Sequence, residues 1–128
     1  MSKNDHPDND PQRITVDGRV PSSDMRSYAL LLPEAKQKYM AFYKSVYRDG
    51  HLDILTKEFI AIGAALVAGC KGCLEGHMKK ARKHGATAEQ IAEVVAVASG
   101  VAAATVVDRS DIANYTLGNL FEVPAADS

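Results

Sequence analysis

From Pro33 to Gly118 the chain is punctuated as a succession of helices, and no segment alternates apolar and polar residues as a half-buried strand would. Pro33 suits a first helical turn, Glu34 complements the dipole there, and Tyr39, Tyr43, Val46 and Tyr47 form an apolar stripe that Asp49-Gly50 ends. Thr56 is a capping residue for a second helix. Phe59, Ile60, Ile62, Gly63, Leu66 and Val67 make that helix apolar nearly all round, hence central and buried, until Gly69 interrupts it. A third helix is expected from about Lys71 to His84, with Gly85 as its left-handed terminator and Lys79, Lys80, Arg82 and Lys83 near its negative end. Thr87 and Gln90 make a capping box for a fourth, whose stripe of Ile91, Val94, Val95, Ala98, Val101 and Ala102 has helical period. Ser99-Gly100 reads as a break before a fifth helix ending near Gly118. The expected fold class is all-α, a helical bundle.

Composition refines this. Nineteen residues are alanine and only 6% are aromatic, which favours helices that approach closely. A net charge of −1 and a pI near 6.4 exclude the basic excess of a general nucleic-acid binder. The longest uncharged run, Val94 to Val107, has fourteen residues, short of the roughly 20 of a membrane span. It reads as a buried helix or a subunit contact, with no membrane as partner, and helices apolar on most sides imply a homo-oligomer. Residues 1–13, rich in Asp and Pro, read as a solvated tail, 14–122 as a single helical domain and 123–128 as a second tail. Within that domain, 14–20 reads as a short extended piece and Asp24 to Leu31 as a short helix. The sequence MSKNDHPDNDPQR has no apolar central region and so does not read as a secretory signal, which with the cysteine usage suggests a reducing, cytoplasmic setting.

The only two cysteines, Cys70 and Cys73, are three residues apart, too close to staple a fold usefully. In a reducing setting such a pair is redox-active or metal-binding. With His77 they occupy positions i, i+3 and i+7, within about 60° of one another on one helix face. The helix N-terminus favours a thiolate at Cys70, and His77 stands one turn beyond Cys73, within reach for proton exchange. Glu58, among Phe59, Ile60 and Ile62, is placed to orient the His77 ring; the plainer reading makes it a favourable charge in a helix's first turn.

Glu58, the Cys70-Lys71-Gly72-Cys73 string, His77, and the following His84-Gly85-Ala86-Thr87 and Glu89-Gln90-Ile91-Ala92-Glu93 resemble the carboxymuconolactone decarboxylase family. The cysteine pair is similar to that of its alkylhydroperoxidase D branch. The resemblance covers about residues 52–104, the expected redox core. It implies a helical bundle assembled as trimers or hexamers, and thiol–disulfide exchange coupled to hydroperoxide reduction. Glu58, Cys70, Cys73 and His77 then match the family's proton-relay and redox positions. The substrate would be a hydroperoxide or a disulfide, and the electron donor a dihydrolipoamide- or thioredoxin-like dithiol; no cofactor is called for. Some peroxidase members carry a second histidine before the second cysteine, where this chain has Gly72. Helix-end electrostatics favour Cys70 as the attacking thiol, while proximity to His77 and the family's usual assignment favour Cys73. The reading adopted makes Cys73 peroxide-reactive and Cys70 the resolving thiol.

Three alternatives stand beside this reading. Cys70, Cys73 and His77, with Glu58 or His84 as a fourth, supply four zinc ligands, although no second ligand pair across a loop completes the usual structural pattern. The cysteines also fit a non-enzymatic protein as small buried residues, with His77 a satisfied helix histidine. Lactone decarboxylation is the third, and in the family it does not rely on this cysteine pair.

Overall fold

The computed structural model describes residues 28–126. It divides into two compact units between Val46 and Tyr47. Among the described residues it has four helices and no strand: α1 (Pro33–Val46), α2 (Ile54–Ala68), α3 (Lys71–Lys83) and α4 (Ala88–Thr116). The all-α class holds. The expected tail at 1–13 and extended piece at 14–20 lie outside the described residues, as does most of the expected helix over 24–31.

The first unit contains α1. Its last preceding residues, 28–31, form a turn closed by the Leu31 N–H on the Tyr28 carbonyl at 3.1 Å, so the expected short helix does not extend through them. Tyr28 there adopts φ 55° and its ring lies 4.8 Å from that of Tyr39, an aromatic contact that holds the turn against α1. Glu34 and Lys38, one helical turn apart, pair at 3.1 Å on the exposed face.

In the second unit α2 packs against both α3 and α4. Its cap is Asp53, not Thr56: the Asp53 carboxylate accepts the Thr56 N–H at 2.7 Å, which places Thr56 inside the first turn. Both residues are of capping type, and the one that precedes the first helical residue takes the role. The approach is tied down further, since Asp49 accepts the Ile54 N–H at 2.8 Å and Lys57 donates to the Arg48 carbonyl at 2.7 Å.

The three helices of this unit end alike. Gly69, Gly85 and Gly118 have φ of 75°, 93° and 78°, and the residue after each reaches back to a carbonyl in the last turn. Those bonds are Cys70 to Ala65, Ala86 to Ala81 and Asn119 to Asn114, at 2.8–2.9 Å. This geometry suits glycine because a side chain at positive φ is strained. At α4's start the expected capping box is present, with Thr87 and Gln90 bonding each other's backbone N–H at 3.1 and 3.0 Å.

The helix interiors differ from the sequence reading at Ser99-Gly100 and in the burial of α2, and of the two readings of the α4 apolar run, burial within the chain does not hold. The break at Ser99-Gly100 is absent; α4 runs unbroken for 29 residues. Ser99 turns its hydroxyl onto the Val95 carbonyl at 2.7 Å and so stays within the helix, while Gly100 keeps negative φ. The apolar run of α4 is also not buried within the chain, since only Ala98 is, and Val97, Val101, Val106 and Val107 are exposed. By length and composition alone α4 is apolar enough to cross a membrane. The apolar core is small: Ile62, Ala65, Ala81 and Ala98. Of α2 only Glu58, Ile62 and Ala65 are buried, while Ile60 and Val67 are exposed, so it is central but not enclosed.

Candidate redox site

Cys70 ends one helix and begins the next. Its N–H completes the closure of α2 on Ala65, and the residue then stands as the N-cap of α3 with extended backbone, φ −86° and ψ 97°. Cys73 follows in the first turn of α3, and the two are joined as a disulfide with their Cα atoms 5.4 Å apart. Cys73 is exposed and Cys70 half-buried. Any thiolate released from this bond sits at a helix N-terminus, where free N–H groups and the dipole favour negative charge.

His77, one turn further along α3, is 7% exposed, and Glu58 of α2 is 1% exposed. The Glu58 Oε2 atom meets His77 Nδ1 at 2.6 Å, a hydrogen bond that joins the two helices across the small core. A carboxylate buried to this degree is uncommon unless it is partnered. Glu58 is therefore not a first-turn surface charge, as the plainer reading of the sequence had it.

Tyr47, the first residue of this unit, lies against His77 with ring centroids 4.8 Å apart, and the Lys80 Nζ atom stands 5.7 Å from the Tyr47 ring centroid. A cleft of about 240 Å³ gathers Tyr47, Cys70, Cys73 and His77 with the small walls Ala61, Ala64, Ala65 and Ala68. Of the residues singled out in the sequence, Cys70, Cys73 and His77 share this cleft, and Glu58 holds His77 from behind. Tyr47 was not among them. Its apolar periodicity assigned it to the stripe of α1, and only its place beside the Asp49-Gly50 turn hinted otherwise.

Among the described residues no group of three or more His, Cys, Asp or Glu is disposed to hold a metal ion. His84 is the C-cap of α3, the helix end the sequence assigned it to.

Fold and site together define an all-helical protein with a Cys-x-x-Cys disulfide at a helix N-terminus and a buried Glu–His pair beneath it. The carboxymuconolactone decarboxylase family model matches residues 33–110, and the chain belongs to that family. It is 42% identical over 88 residues to an uncharacterized cox-locus protein of Paracoccus denitrificans, covering 69% of this chain and 77% of that one. An uncharacterized protein of Cupriavidus necator is 38% identical over 65 residues, 51% of this chain and 58% of its own length. Among solved structures, a Methanobacterium thermoautotrophicum protein superposes with TM-score 0.59 at 26% identity, over 63% of this chain and 93% of that one. A Thermotoga maritima family member, for which a part in the antioxidative response has been suggested, gives TM-score 0.54 at 28% identity over 70% and 93%.

Proposed function

We propose that the protein is a thiol–disulfide oxidoreductase of the alkylhydroperoxidase D type, cycling Cys70 and Cys73 between dithiol and disulfide. The observation that carries this reading is the disulfide at the N-terminus of α3 beside the buried Glu58–His77 hydrogen bond. Such a pair is inert as a staple, because it closes a ring of only a few residues. Beside a helix N-terminus and an oriented imidazole it is suited to exchange.

In the peroxide reaction the Cys73 thiolate attacks the terminal oxygen of ROOH and the O–O bond breaks. The alkoxide takes a proton from His77 and leaves as ROH, giving a Cys73 sulfenic acid. The Cys70 thiol then gives its proton to His77 and attacks the Cys73 sulfur; the S–O bond breaks, the departing hydroxide takes that proton and leaves as water, and the disulfide forms. An external dithiol, of the dihydrolipoamide or thioredoxin kind, supplies the two electrons and two protons that restore the pair. Cys73, the more exposed residue of the pair, is the one presented to an incoming thiol or peroxide. Glu58 holds the ring through Nδ1, so proton traffic at the cleft runs through Nε2. The same reading places the protein in a reducing compartment and has it self-associate through the exposed apolar face of α4.

The test is stopped-flow oxidation of the reduced protein by hydroperoxides and by disulfide partners, with dithiol content measured directly. Cys73→Ser should abolish sulfenate trapping by peroxide and Cys70→Ser should let the sulfenate accumulate; the reverse pattern overturns the assignment of roles. Oxidation by disulfides but by no hydroperoxide would restrict the function to disulfide exchange.

A further inference from the structure

Beside the cysteine cleft, with which it shares Ala64, an apolar groove of about 790 Å³ lies between α2 and α4. Phe59, Ile60 and Val67 form one wall, and Val94, Val97 and Val101 the other. Val97 is 69% exposed within it.

The chain also carries a segment of matching character. After α4, residues 120–126 are neither helix nor strand and leave Leu120, Phe121 and Val123 at the surface, with Phe121 80% exposed. Phe121 is tied to the end of α4. The Asn114 side chain donates to the Phe121 carbonyl at 2.8 Å and accepts the Phe121 N–H at 3.1 Å, as a neighbouring strand would. Two hydrogen bonds thus hold the backbone of Phe121 while its ring stays exposed.

The arm cannot fill its own groove. From Asn114 back to Val101, the near end of the groove, is roughly 20 Å at 1.5 Å per residue. From Phe121, held at Asn114, to Val123 is only about 7 Å of extended chain. A second copy has no such restriction. The groove runs along α4 from Gln90 to Val101, about 16 Å, and the four residues from Leu120 to Val123 need about 10 Å. Midway between Val97 and Asn114 on α4 lie the exposed Thr105 and Val106, and just before them the small, exposed Ala102, Ala103 and Ala104, where two copies of the helix can approach closely.

We infer that the C-terminal arm, Leu120 to Val123, docks in the α2/α4 groove of a second copy. The exchange is reciprocal about a two-fold axis near the middle of α4, so the contact is self-complementary and closed. This inference rests on the self-association proposed above and specifies the surfaces that make it.

The experiment uses the full chain. Two proteins are made in a Cys70→Ser/Cys73→Ser background, one carrying Val97→Cys and the other Phe121→Cys, and are mixed and oxidised. The mixed disulfide should form at least tenfold faster than either like pair, since reciprocal docking keeps like positions about 25 Å apart along the helices. In parallel, sedimentation at about 10 μM compares the wild type with Phe121→Asp and with the chain ending at Gly118, circular dichroism reporting that each is folded. Both changes should weaken association by tenfold or more.

A monomeric wild type overturns self-association and this inference together, and its flotation with phosphatidylglycerol vesicles would assign the apolar face to lipid. An oligomeric wild type that both arm variants leave intact overturns the arm alone. Dominant like-pair crosslinks, or a wild-type oligomer in which the mixed pair fails to form, overturn the reciprocal geometry.

Discussion

Glu58 and His77 are separated by 19 residues and come from different helices, so their 2.6 Å hydrogen bond forms only when α2 and α3 are docked. Replacing Glu58 by Leu removes the buried partner of Nδ1 and should cost about 1–3 kcal/mol in a denaturant titration. His77→Ala should slow peroxide oxidation of the reduced pair by about 10²–10⁴-fold, the usual worth of a positioned acid–base group, with Glu58→Gln slowing it less. Ile62 is fully buried in a small core, and Ile62→Ala should cost about 2–5 kcal/mol. Asp53 supplies a pH effect. The Thr56 backbone N–H, and secondly its hydroxyl, hold the Asp53 carboxyl below its ordinary 3.8. Its folded value lies below its unfolded one, so its contribution is present above pH 3.8 and disappears as pH falls through the lowered value. Asp53→Asn, which still caps, should flatten the acid side of the stability–pH curve. An unchanged curve would show that the cap does not titrate.

At the scale of elements, helix boundaries were legible wherever a local rule acts alone. Gly69 and Gly85 were readable as stops and Gly118 as the last helix's end, because few other residues tolerate the backbone each adopts; Thr87 and Gln90 were readable because a capping box is complete within four residues. Where two residues qualified, the sequence did not decide, as with Asp53 and Thr56. The supposed break at Ser99-Gly100 failed because a glycine ends a helix only when the chain also turns, and here the flanking valines and alanines continue the helical pattern. A Cβ at Gly100 would meet nothing within 4 Å, so Gly100→Ala should raise stability by about 0.8–1 kcal/mol. A neutral or destabilising result would place a bend there after all. The sulfurs and the imidazole were legible because Cys70, Cys73 and His77 share one local helical spacing; Glu58, on another helix, was singled out by its apolar neighbours and the family resemblance, since its contact with His77 is made only by tertiary packing. Tyr47 was not, since its contact with His77 depends on how the chain turns between residues 47 and 53.

For the whole molecule, the small core and the exposed apolar face of α4 belong together: few large side chains are enclosed within the second unit, and many wait outside it. With the self-association proposed above, part of the stability would come from association, and the unfolding midpoint should then rise with protein concentration in a thermal scan. Opening the disulfide should matter far less to the fold than to the chemistry. The ring it closes is so short that the chain-entropy model allows about 2 kcal/mol at most, a difference read by comparing denaturation with and without a reductant.

The placement of Tyr47 against His77 has an optical consequence. The chain has no tryptophan and five tyrosines, so its near-ultraviolet emission is tyrosine emission, and one of those rings lines the same cleft as a sulfur–sulfur bond, a known quencher of such light. The molecule thus carries a built-in lamp beside its disulfide. The part of the signal that Tyr47→Phe removes should brighten on reduction, letting turnover be followed without any added dye.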